Sequence, residues 1–248
     1  MFLKRVTLKR EEINDQREYP FHIPAIRSFS EINFNKNVTF FVGENGSGKS
    51  TLLEAIADQC GFNPAGGGRN NTYNLHASES ALGPYLRLSW MPKVTNGFFL
   101  RAESFYQFAT HLDELDQDDL EGLTYQSYGG KSLHEQSHGE SFLSLFANRF
   151  QQKAIYLLDE PEAALSPQRQ LALLKIMHDL EKQGSCQFII ATHSPILLGY
   201  PDADILSFDE GKIQSMAYEM TDHYQITSYF LQHRERMLEQ LFAEEDEE

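Results

Sequence analysis

Residues 43–51 read "GENGSGKST" and follow directly on the apolar run "VTFFV" at 38–42. This juncture constrains the fold more than any other stretch of the chain. After it comes "STLLEAIADQC", with apolar residues at helical spacing, so the unit reads as strand, glycine loop, helix. Gly43, Glu44, Asn45, Gly46, Ser47, Gly48, Lys49 and Ser50 match G-x-x-x-x-G-K-[ST], with Thr51 next. Small residues let successive backbone N–H groups point inward as an anion nest, and the helix N-terminus adds its dipole. In that geometry Lys49 faces the β- and γ-phosphates of a nucleotide, Ser50 holds Mg²⁺, and Thr51 reaches toward the α-phosphate.

The second half of the chain alternates. "AIYLLDE" (154–160) and "CQFIIATHS" (186–194) are nearly continuous apolar runs, the mark of parallel strands covered on both faces. Helical patterns surround them in "GESFLSLFANRF" and in "SPQRQLALLKIMHDLEKQG", which ends on Gly184. The predicted fold class is therefore α/β with a mainly parallel central sheet. Ligands of such sheets sit at the carboxyl ends of the strands. Asp159 and Glu160 leave one strand end and His193 another. Asp159 is the candidate Mg²⁺ ligand. Glu160, one residue on, is the candidate base that orients and deprotonates a water. His193 is placed to hydrogen-bond the γ-phosphate. Glu162 is expected to be a solvated turn residue, and the next candidate base should Glu160 not serve.

Elsewhere, "FHIPAIRSF", "EINF" and "NVTFFV" read as strands, and "YLRLSWM" and "GFFLRA" as a strand pair joined by "PKVTNG". "GFNPAGGGRNNTYNLHAS" reads as a loop. "ESFYQFATHLDEL" from Glu103 is helical, "ADILSFDEGKIQSMAY" a hairpin turning at Asp-Glu-Gly, and a last helix covers about 222–243 before an acidic tail at 244–248.

The order of these motifs, phosphate loop, "SHGES", "LLDEPE" and "ATHS", resembles the ABC-type ATPases over most of the chain. "DEPEAALSPQ" and "IRSFSEINFNKNVTFFVGENGSGKST" look most like the soluble RecF, Rad50 and OLD-like ATPase heads. The resemblance implies a P-loop NTPase head occupying residues 1–248 as one domain. It also implies an antiparallel N-terminal β part and a helical signature subregion at about 103–150. ATP and Mg²⁺ are the implied cofactors and ATP hydrolysis the implied activity. The family signature falls on Gln136, Ser137, His138, Gly139 and Glu140. Ser137 and Gly139 keep the hydroxyl and the approachable amide that meet the nucleotide of a second protomer. By itself "SHGES" also reads as a capping box. Ser166 stands where transporters carry aspartate. Glu103 and Gln107 compete for the residue that senses Mg²⁺ and water, with Glu103 favoured by its place at a strand end. The adenine-stacking aromatic of the family falls near Tyr19 or Phe21.

Net charge is −15 over 248 residues, which argues against free-standing, non-specific binding of nucleic acid. Lys4, Arg5, Lys9 and Arg10 form the one candidate basic patch. Cys60 and Cys186 fit no metal spacing and point to a reducing compartment. Without an apolar run of membrane-span length, the chain is expected to be soluble and cytoplasmic. Three functions fit. The first is a soluble ATPase that forms an ATP-dependent homodimer and drives or gates an unidentified protein partner. The second is the nucleotide-binding subunit of a transporter, reaching the membrane through a permease. The third is a nucleotide-gated regulatory module of a toxin or phage-defence pair.

Overall fold

The computed structural model describes residues 1–63, 80–102, 153–184 and 186–243. Among them the strands form two sheets. The larger has six strands: β5 (Gly97–Arg101), β6 (Ala154–Asp159), β7 (Cys186–Ala191), β3 (Val38–Val42), β8 (Asp204–Ser207) and β9 (Gln214–Ser215), in that spatial order. Only the β8–β9 pair is antiparallel, so five strands end on the same edge. The smaller sheet is antiparallel, with β1 (Leu3–Leu8) between β2 (Glu31–Asn33) and β4 (Leu86–Trp90).

Side chains alternate across the large sheet, as strand geometry requires. Phe40, Tyr156, Phe188 and Ile190 join one buried cluster with Leu173 and Met177 of helix α3 (Pro167–Lys182). Phe41, Leu157, Ile189 and Ala191 join the other, with Leu52, Leu53 and Ile56 of helix α2 (Lys49–Cys60). Every residue of β3, β6 and β7 is buried, the expected consequence of covering a parallel sheet on both faces. The side chain of Gln187, fully buried, accepts from Phe2 N and Leu3 N and donates to Leu3 O, which ties β1 to the large sheet.

Two local expectations are corrected. "FHIPAIRSF" is not a strand: Pro24–Ser28 is a short helix, α1, with Pro24 at its first position, where a missing N–H costs nothing. β4 and β5 are not a pair: they lie in different sheets. β5 buries Phe98, Phe99 and Leu100 consecutively and runs parallel to β6, whereas β4 is partly exposed and pairs with β1. β1 shows no clean alternation because a register shift falls between Leu3 and Arg5. Among the described residues the other α-helices are α4 (Pro195–Leu198) and α5 (Asp222–Ala243), the second kinked at His233. Among the described residues, no helix is long and apolar enough to cross a membrane. The 103–150 subregion, with Glu103, Gln107, Ser137 and Gly139, lies outside the described residues.

Candidate active site

The glycine loop leaves β3 and enters α2. Gly43, Gly46 and Gly48 have φ of 140°, 80° and 104°. Gly43 is required twice over. Its φ is one that side chains avoid, and an added Cβ would stand 2.9 Å from Asp209 Oδ1. Asp209 follows the end of β8 and braces the loop: its Oδ1 accepts from Glu44 N at 2.9 Å and its Oδ2 from Ser207 Oγ at 3.0 Å. Lys49 is only 4% exposed, and its Nζ donates to Gly43 O at 2.7 Å and Glu44 O at 2.9 Å. Burial lowers its pKa, and the nearby Glu160, Asp159 and Asp209 oppose that shift. Ser47 Oγ is buried without a hydrogen-bond partner among the described residues. An orphaned hydroxyl inside a loop of left-handed glycines, beside a buried ammonium, fits a phosphate chain.

Ser50 Oγ donates to Asp159 Oδ1 at 2.9 Å. Asp159 is 3% exposed, and Arg101 Nε lies 3.2 Å from its Oδ2. Parallel pairing sets this contact, because Arg101 and Asp159 share a register position at the ends of β5 and β6. Arg101 also meets Glu54 of α2 at 3.4 Å. Burial pushes the Glu54 carboxyl upward, and Arg101 pulls it back. A hydroxyl and a carboxylate side by side are the hard oxygen donors Mg²⁺ takes, so Ser50 and Asp159 fit that ion.

Glu160 follows β6 in the left-handed region, at φ 49° and ψ 52°. A non-glycine residue there costs on the order of 1–3 kcal/mol and persists only where its surroundings hold it. Here Glu160 N donates to Ala191 O at 2.9 Å, and Glu160 O accepts from Ala163 N at 3.0 Å. His193 Nε2 lies 3.6 Å from Glu160 Oε1, buried and without a hydrogen-bond partner among the described residues. His193 Nδ1 lies 2.9 Å from Nε2 of His223, at the start of α5. Burial lowers the pKa of both imidazoles, and the Lys49 charge lowers them further. A cleft of about 710 Å³ opens among Glu44, Asn45, Glu160, His193, Asp209 and His223.

Glu162 is not a solvated turn residue. Its Oε2 accepts from Thr192 Oγ1 at 2.7 Å and its Oε1 from His193 N at 2.5 Å. Burial raises its pKa, and these two hydrogen bonds oppose the rise. Both oxygens are engaged in holding the segment that carries His193.

The fold thus gathers the glycine loop, Lys49, Ser50, Asp159, Glu160 and His193 at one sheet edge. Of the two stacking candidates, Phe21 is buried and packs edge-on against Tyr85, so it presents no free face. Tyr19 is 60% exposed, with its hydroxyl 3.3 Å from Thr51 Oγ1. Three of the N-terminal cations have internal partners: Arg5 meets Glu31, Lys9 meets Glu12 and Pro84 O, and Arg10 donates to Arg27 O, Ser28 O and Phe29 O. Asp209, Arg101 and His223 were not legible as site residues. No motif marks them, and each reaches the site through tertiary placement.

The AAA_23 family model, described as an AAA domain, matches residues 21–244. The chain belongs to this family. Two hemin import ATP-binding proteins named HmuV are similar to it. That of Nocardia farcinica is 27% identical over 205 residues, covering 77% of this chain and 70% of that protein. That of Bartonella quintana is 26% identical over 194 residues, covering 71% and 73%. Among solved structures, cbiO1 from Clostridium perfringens, part of the ABC transporter complex cbiONQ, superposes with a TM-score of 0.51. At 18% identity, over 96% of this chain and 100% of that one, it shows the shared fold. The chain is an ABC-type ATPase with an α/β P-loop fold.

Proposed function

We propose that this ABC-type ATPase binds ATP and Mg²⁺ at the edge where β3, β6 and β7 end, and hydrolyses ATP there with Glu160 as base. The observation that carries the reading is the convergence of buried Lys49, the Ser50–Asp159 pair and the strained Glu160 beside His193. Lys49 and the loop amides hold the phosphate chain. Ser50 and Asp159 would hold Mg²⁺, and the ion would supply positive charge to offset the charge that develops on the transferring phosphoryl group. Glu160 takes the proton of an attacking water, and its left-handed backbone turns its carboxylate toward the cleft. His193 donates from Nε2 to the terminal phosphate. Tyr19 supplies the face for the adenine ring. Glu103, or Gln107 in its place, would sense the metal and the attacking water, as the family resemblance implies.

Ser137 and Gly139 belong to the nucleotide site of a second copy, so that two ATP molecules join a two-fold homodimer. That dimer drives or gates a separate protein in the cytoplasm. The hemin-import relatives support a second reading, in which the separate protein is a permease. Light scattering after size exclusion tests the assembly. Glu160→Gln with ATP and Mg²⁺ is expected to elute as a dimer and with ADP as mostly monomer, and added Ser137→Arg to prevent the dimer while sparing nucleotide binding. A dimer equally stable without nucleotide, and indifferent to Ser137→Arg, would contradict it.

A further inference from the structure

Nothing in the phosphate-site motifs involves α5, yet its first turn enters the cleft and sets a second imidazole against His193. We propose that His223 is a positioning residue: it donates from Nε2 to His193 Nδ1 and so fixes His193 in the tautomer whose Nε2–H faces Glu160 and the terminal phosphate. This rests on the proposed role of His193 and adds the group that orients it.

The assignment follows from donor and acceptor logic. His193 Nε2 is buried, lacks a hydrogen-bond partner among the described residues, and faces Glu160 Oε1 at 3.6 Å. An ionised carboxylate only accepts, and so do the oxygens of a phosphate. The nitrogen aimed at them must therefore carry the hydrogen. In a neutral imidazole the other nitrogen is then a lone pair, so Nδ1 must accept. His223 Nε2, at 2.9 Å, is the group that reaches Nδ1, and it can satisfy it only as a donor. The opposite arrangement would turn a lone pair toward the carboxylate.

The frame around His223 is built to hold it. Tyr218 OH donates to Pro195 O at 2.9 Å, linking the approach to α5 to the turn that follows His193. The Tyr218 and Tyr224 rings pack 4.7 Å apart. Buried Thr221 donates to Tyr218 O and accepts from Tyr224 N, which closes the first turn of α5. From the other side, Glu162 holds the backbone of His193. The ring is thus oriented at its backbone by Glu162 and at its far nitrogen by His223.

The test uses the full chain with imidazole-labelled histidine. In nucleotide-free wild type, ¹⁵N resonances should show His193 with a protonated Nε2 and an unprotonated Nδ1. His223→Leu should mix the tautomers and lower kcat by about tenfold or more with KM little changed, the pattern of an interaction needed in the transition state. His223→Gln, whose amide keeps an N–H donor at that reach, should restore both the tautomer and most of the turnover. A wild-type His193 protonated at Nδ1 would overturn the proposal. So would unchanged turnover in His223→Leu, a loss confined to KM, or a His223→Gln variant as impaired as His223→Leu. The tautomer is read without nucleotide, so a failure of the ATPase reading leaves this measurement decisive by itself.

Discussion

Ser50 Oγ and Asp159 Oδ1 lie 2.9 Å apart although 109 positions separate them in the chain. Their pairing sets a hydroxyl from the first turn of α2 against the carboxylate that ends β6. Ser50→Ala is therefore expected to weaken ATP binding in the presence of Mg²⁺ by about tenfold, the scale of one lost charge-assisted contact. Binding without Mg²⁺ should change little. Calorimetry with and without the ion checks this, and equal weakening in both would remove Ser50 from the metal.

Lys49 presents the buried cation of the loop, held by two carbonyls that belong to the loop itself. Lys49→Ala should abolish measurable ATP binding, with or without Mg²⁺. Unchanged affinity in the same calorimetric experiment would contradict the phosphate-loop assignment.

Two glycines of that loop make a graded pair. Gly43→Ala meets both an unfavourable φ and Asp209 Oδ1, whereas Gly46→Ala has an unfavourable φ and open space. Gly43→Ala is expected to destabilise by about 1–3 kcal/mol, toward the upper end, and Gly46→Ala by about 1 kcal/mol. Urea midpoints should fall in that order, and equal midpoints would show that Asp209 yields without cost.

The imidazoles give the apo protein a pH signature. Burial holds His193 and His223 below the ordinary value of about 6.5. A depressed folded pKa contributes stability that is present above the unfolded value and is lost as pH falls through the folded one. Glu54 and Glu162 are raised, so their contribution is present below the unfolded carboxylate value and lost as pH rises through the folded one. The histidine contribution is isolated by comparison. Between about pH 7 and pH 5.5, wild type should lose more Tm than the double variant His193→Gln, His223→Gln. Equal losses would mean that neither ring is held neutral by the fold.

What the sequence made legible is what local pattern encodes. The glycine loop, the all-apolar β6 and β7 and the residues leaving their ends carry their geometry in consecutive positions, so Lys49, Ser50, Asp159, Glu160 and His193 could be placed at one edge. Glu162 illustrates the limit. Its neighbours say turn, and only the parallel pairing of β6 with β7 brings Thr192 and His193 to its carboxylate. Arg101 depends in the same way on the β5–β6 register, Asp209 on the return of β8 beside β3, and His223 on the docking of α5. The short helix at Pro24–Ser28 was hidden because five residues are too few for a 3.6-residue period to emerge.

The central claim is hydrolysis at Glu160, and single-turnover hydrolysis of ATP by Glu160→Gln tests it most directly. The side chain keeps its size and loses its basicity. The account predicts ATP and Mg²⁺ binding within about twofold of wild type and a hydrolysis rate lower by about 10²-fold or more. A variant that binds ATP normally and hydrolyses it at the wild-type rate would contradict the account.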